Sequence, residues 1–210
     1  MRGFIEVLLL SLLSLPFAAS AGAPATCSPS DRSPEHARLV ETASLEQLTV
    51  CHALGDAVAT NELGRRYGLG KGVALDSRKS FEMYSTAAAA GYRQAKANLG
   101  YMYAKGEGVA QDDAQAYRWY SDAAEDGSAQ AQYSLGYIHA TGQGGEKNGA
   151  LAEKWWLAAA NQGFVRAQQA LIRLYSDGKL VPRNAEEAIL WTHRARDAML
   201  WGEVWTKADE

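Results

Sequence analysis

At 210 residues, 47% hydrophobic and 21% charged, the chain is long enough for one domain with a substantial core. A formal net charge of −3 without a basic stripe argues against a nucleic-acid partner, and no polybasic cluster marks a membrane surface. The four histidines and two cysteines fall in no metal-ligand spacing, and no cofactor or metal is expected.

Arg2, the apolar run Val7 to Leu15, Pro16 and the small-residue stretch Ala19-Ser20-Ala21 together read as an export signal over residues 1–21. Cleavage is expected between Ala21 and Gly22, and the run is too short to span a bilayer. The chain is therefore expected in the periplasm or outside the cell. Pro24-Ala25-Thr26 precedes Cys27, where a lipidated cysteine would follow leucine and small residues, so no lipid anchor is expected. Residues 22–43 read as an N-terminal arm, and 44–58 as a capping helix. In an exported chain Cys27 and Cys51 are most simply one disulfide; two separate buried thiols are the alternative.

From residue 55 onward the chain repeats. Leu63, Leu99, Leu135 and Leu171 are each 36 residues apart, and Ala59, Ala95, Ala131 and Ala167 keep the same step. So do two glycine series, Gly55 to Gly163 and Gly70 to Gly178. Such a period denotes a solenoid of stacked supersecondary units. In the second unit Ala95, Leu99 and Tyr103 form one helical stripe, and Gly106, Gly108 and Val109 form a turn. Asp112 is placed to cap the next helix, whose stripe is Ala116, Tyr120, Ala123 and Ala124, and Gly127 ends it. The unit is a helical hairpin that must stack to bury its stripes. The repeats are set at 59–94, 95–130, 131–166 and 167–199, with 200–210 as a C-terminal cap or tail carrying Trp201 and Trp205.

The run of Ala95, Leu99-Gly100, Tyr103, Gly106, Gly108-Val109, Asp112, Ala116, Trp119-Tyr120, Ala123-Ala124 and Gly127 resembles the Sel-one-like repeat family, relatives of tetratricopeptide repeats. The resemblance covers about residues 55 to 199. Unit three departs at His139, Gly145 and Asn148, where the pattern has tyrosine, valine and aspartate. Unit four departs at Ile172 and Leu180, both glycine positions. The resemblance implies an all-α, right-handed α-solenoid with a concave groove, working as scaffold, adaptor or regulator by binding another protein. Exported members of similar build include envelope regulators and immunity proteins that neutralise toxins. An immunity role is the alternative expectation; a hydrolase or penicillin-binding enzyme is the third.

Nothing in the sequence assembles a catalytic site. Gly70-Lys71-Gly72 follows a helix, where a phosphate loop follows a strand. Ser176-x-x-Lys179 has a penicillin-binding spacing but lacks the companion motifs and falls in a hairpin turn. Trp119, Trp155 and Trp191, one per period, read as packing between units. In stacked hairpins of this type the first helices line the inner surface. Positions two after and two before the repeat leucine are expected to face it: Arg65, Tyr101, Tyr137 and Arg173, then Asn61, Ala97, Tyr133 and Gln169. Tyrosine and arginine are favoured at binding hot spots; the alternative is that the tyrosines tile neighbouring helices.

Overall fold

The structure, a computed structural model, describes residues 27–143 and 146–207, with side chains through 197. The export segment with its Ala21–Gly22 junction, and Gly145, lie outside the described residues. Ten helices and no strand occur among those described. Two short ones, α1 (Pro34–Thr42) and α2 (Leu45–Ala53), precede four hairpins. The hairpins are α3 (Ala57–Leu69) with α4 (Ser77–Ala89), and α5 (Arg93–Lys105) with α6 (Asp113–Glu125). Next come α7 (Ala129–Thr141) with α8 (Gly149–Asn161), and α9 (Val165–Asp177) with α10 (Ala185–Lys207). Each first helix starts two residues before the boundary set from the leucine and alanine series. The chain after the fourth turn runs on as one helix to Lys207.

Local chemistry explains these bounds. Gly70, Gly106, Gly142 and Gly178 end the first helices at φ between 66° and 78°, a left-handed conformation that costs glycine no Cβ clash. Asp76, Asp112, Asn148 and Asn184 then accept from the backbone N–H three residues on, starting the second helices. Their own N–H groups donate to the carbonyls of Tyr67, Tyr103, His139 and Tyr175. The turn is thus tied identically in all four units, including those that depart from the pattern.

The repeat leucines are at most 3% exposed, and burying each contributes about 2 kcal/mol. Gly100 lets α6 approach: a Cβ there would lie 2.7 Å from the Tyr120 ring. Gly64 faces Tyr84 and Gly136 faces Trp156 in the same way. One period on, Ile172 replaces the glycine while Thr192 stands at the aromatic position, so bulk moves across the hairpin. A second exchange explains Leu180. A Cβ on Gly108 would strike the Ser77 carbonyl at the start of α4, whereas at the equivalent junction Gly149 replaces the serine and abuts Leu180. His139 is also accommodated. It meets Tyr117 edge-on at 5.9 Å, as Tyr103 meets Phe81 at 5.5 Å, and at the next junction the Tyr175 hydroxyl donates to Glu153 at 2.6 Å.

The N-terminal end differs from the expected arm. Residues 34–42 are helical because Ser33 caps them, accepting from His36 N–H, and Pro34 sits where its missing N–H costs nothing. Helix α1 packs on α3, and the Cys27–Cys51 disulfide ties the segment before it to α2. Asp56, fully buried, organises this end. Its Oδ1 accepts from the N–H groups of Val58 and Ala59, and its Oδ2 from Ser28 N–H at 3.0 Å and His36 Nε2 at 2.8 Å. Arg66 closes the other end of α1, donating to the Ala43 carbonyl at 2.6 Å.

Candidate functional site

The first helices lie side by side, and the positions that share one helix face recur at i, i+3 and i+7, as the exposed Arg166, Gln169 and Arg173 do on α9. At the N-terminal end of this inner face the polar groups satisfy one another. Arg65 Nε and Arg66 Nε reach Glu62 at 2.7 and 3.0 Å. Asn98 donates to Asn61 at 3.0 Å and Gln94 to Gln130 at 2.8 Å, each bond crossing from one helix to the next. Ala97 does not face the groove at all. It is fully buried in the cluster that holds Leu135, because its small side chain fits beneath the next unit.

Further along, the inner face opens into two adjoining clefts of about 880 and 490 Å³. Tyr133, Tyr137 and Arg166 line both. Tyr101 lines the first, and Gln169 and Arg173 the second. Five of the eight residues singled out from the sequence therefore share one concavity, while Asn61, Arg65 and the buried Ala97 lie outside it.

The tyrosines are not equivalent. Tyr101 and Tyr137 are 42% and 49% exposed, whereas Tyr133 is half-buried against Phe164, ring centroids 5.5 Å apart. Partial burial and then the Glu107 carboxylate raise the Tyr101 phenol above its ordinary range, and its hydroxyl donates to Glu107 at 3.3 Å. Tyr120 at the cleft floor is pushed up to about 12, chiefly by burial, so these phenols are neutral donors near pH 7.

Phe164, Arg166 and Lys105 belong to the cleft but were not singled out. Arg166 stands seven residues before Arg173 on α9, two turns along one face, which was the available signal. Phe164 occupies the N-cap place that Asp56 holds in the first unit, an apolar residue where a capping oxygen is usual. The period-36 tryptophans pack as expected: Trp191 is buried, and Trp119 and Trp155 lie half-buried against the clusters of Leu99 and Leu135. Among the described residues no group of His, Cys, Asp or Glu is placed to hold a metal. None of the helices searched is long and apolar enough to cross a membrane.

The Sel1 repeat model matches residues 57–92, 93–128, 129–164 and 167–198. A Sel1 repeat protein from Oxalobacter formigenes is 30% identical, over 78% of this chain and 65% of that one, with a TM-score of 0.69. The protein c5321, a protective antigen of uropathogenic Escherichia coli with an SLR fold, is 31% identical over 77% of this chain and 34% of that one, TM-score 0.66. The chain thus spans less than two thirds of the length of either. Immunity protein Pa5087 from Pseudomonas aeruginosa is 18% identical over 84% of this chain and 79% of that one, TM-score 0.45. No protein of curated function matches the sequence significantly.

Proposed function

This chain belongs to the Sel1 repeat family, whose members are protein–protein interaction modules, and we propose that it is an exported one that holds a segment of a partner protein in the cleft along α5, α7 and α9. The observation that carries the reading is the concavity itself. Exposed Tyr101 and Tyr137 stand beside Arg166 and Arg173 on helices that the core holds rigid. Aromatic and arginine side chains on a preorganised surface are what hot spots use, since little conformational entropy is lost when a partner seats.

Two observations favour an extracytoplasmic setting: the export pattern of residues 1–21 and the Cys27–Cys51 disulfide, a bond that persists in oxidising compartments. No catalytic step is proposed. An immunity protein would be a tight, single-partner instance of the same reading, and an envelope scaffold or regulator a weaker, broader one. A photo-crosslinking amino acid at Tyr137, in native cells, is expected to trap an envelope protein, while the same group at exposed Arg118 on α6 traps none. Equal crosslinking from both positions, or partners that are all cytoplasmic, refutes the proposal.

A further inference from the structure

Arg65 and Arg173 occupy the same place in the first and fourth units, yet their surroundings differ. Arg65 is neutralised by Glu62, three residues earlier on its helix, with contacts at 2.7 and 2.9 Å. The residue equivalent to Glu62 in the fourth unit is Ala170, so Arg173 has lost that carboxylate. Arg166, two turns away on the same face, likewise has no hydrogen bond or ion pair among the described residues. The nearby acids do not replace what is missing. Asp177 accepts from Lys179 N–H and Asp113 from Gln143, and neither forms an ion pair with an arginine. Two cations are thus held about 10 Å apart along α9, from the rise of seven helical residues, beside an aromatic cleft.

From this pairing of bare arginines with tyrosine and phenylalanine faces, we infer that the occupant of the cleft is an acidic segment of a partner protein. Its carboxylates meet Arg166 and Arg173, and an apolar or aromatic side chain enters between Tyr133, Tyr137 and Phe164. This rests on the cleft being the binding site, as proposed above. Guanidinium groups suit the task because their planar fork pairs with carboxylates through two parallel hydrogen bonds. Charge complementarity of this kind sets which partner is chosen and how fast it arrives. The N-terminal half of the inner face, where Glu62 already takes both arginines, offers no such attraction.

The test uses the full mature chain and a random dodecapeptide library displayed on phage. Selected peptides are expected to be enriched in Asp and Glu together with an aromatic or large apolar residue. In fluorescence anisotropy, synthetic versions should bind the Arg166→Gln/Arg173→Gln variant at least about tenfold more weakly, and with a shallower salt dependence. Arg65→Gln should change little. An Arg166→Glu/Arg173→Glu variant should select basic peptides instead. Melting curves check that the variants fold, which is expected because both arginines are exposed. Peptides without acidic bias that still lose binding on Tyr137→Ala overturn the acidic occupant and leave the cleft as the site. Peptides indifferent to all these changes, or a selection that enriches nothing, overturn both.

Discussion

Asp56→Ala should destabilise the chain far more than the same change at another aspartate cap, and the structure says by how much. Asp112 caps α6 through one exposed bond to Gln115 N–H, so Asp112→Ala should cost about 1 kcal/mol. Asp56 does the same for α3 and also takes Ser28 N–H and His36 Nε2, with itself and His36 at 0% and 3% exposure. Removing its carboxylate leaves those two donors without a partner, at about 1–3 kcal/mol each. The expected total is about 3–7 kcal/mol, a large part of the 5–15 kcal/mol that holds a typical domain. Urea denaturation of the disulfide-intact protein measures both variants against the parent. His36→Ala should lose part of the same energy, and the double variant should lose less than the sum of the two singles, because they remove one shared bond. If Asp56→Ala costs no more than Asp112→Ala, or if the His36 and Asp56 losses simply add, the buried cluster does not hold α1 onto the solenoid.

Replacing Cys27 and Cys51 with serine frees a link across 24 residues and should cost about 3.5 kcal/mol in the same denaturation assay; thiol titration of the unreduced, denatured parent should find no free thiol. Gly100→Ala puts a methyl group 2.7 Å from the Tyr120 ring and should cost about 2 kcal/mol; a loss below about 0.5 kcal/mol contradicts the close helix approach. Burial holds the His139 imidazole below its ordinary value of 6.5, so the folded state binds fewer protons than the unfolded. Its contribution is therefore present above pH 6.5 and lost as pH falls through the folded value. His139→Tyr should flatten the fall in melting temperature between neutral and mildly acid pH, and an unaltered fall would contradict this.

The period was legible because each of its positions answers to one local demand. The αL glycines, the buried leucines and the Asp or Asn caps each have few substitutes, so they recur on schedule. The departures were harder to read because their reasons lie across the hairpin or in the next unit. Ile172 makes sense only beside Thr192, and Leu180 only against Gly149. Helix α1 was hidden for a related cause. Residues 34–42 are too few for a stable isolated helix, and their order comes from His36, Asp56 and the disulfide. At the candidate site, counting from the repeat leucine brought Tyr101, Tyr133, Tyr137, Gln169 and Arg173 to the clefts. The same counting placed Ala97 wrongly, because spacing along one helix does not reveal how the next unit covers it. Nor could it distinguish Arg65 from Arg173, whose difference lies in a neighbour that is Glu62 in one unit and Ala170 in the other.

The central claim is that the tyrosine-lined cleft binds and does not merely pack. Because Tyr101 and Tyr137 are about half exposed, replacing both with alanine should remove little core contact. Tyr133 is excluded from this test, since its packing on Phe164 would mix the two effects. The decisive measurement takes melting temperature and affinity on one Tyr101→Ala/Tyr137→Ala sample, with the partner trapped by crosslinking at Tyr137. The account predicts a melting temperature within about 3 °C of the parent, the shift that a loss below about 1 kcal/mol produces. It also predicts an affinity weakened by about 2–4 kcal/mol, or at least about thirtyfold. A lowered melting temperature with unchanged affinity would place these tyrosines in the packing of the solenoid and the partner on another face.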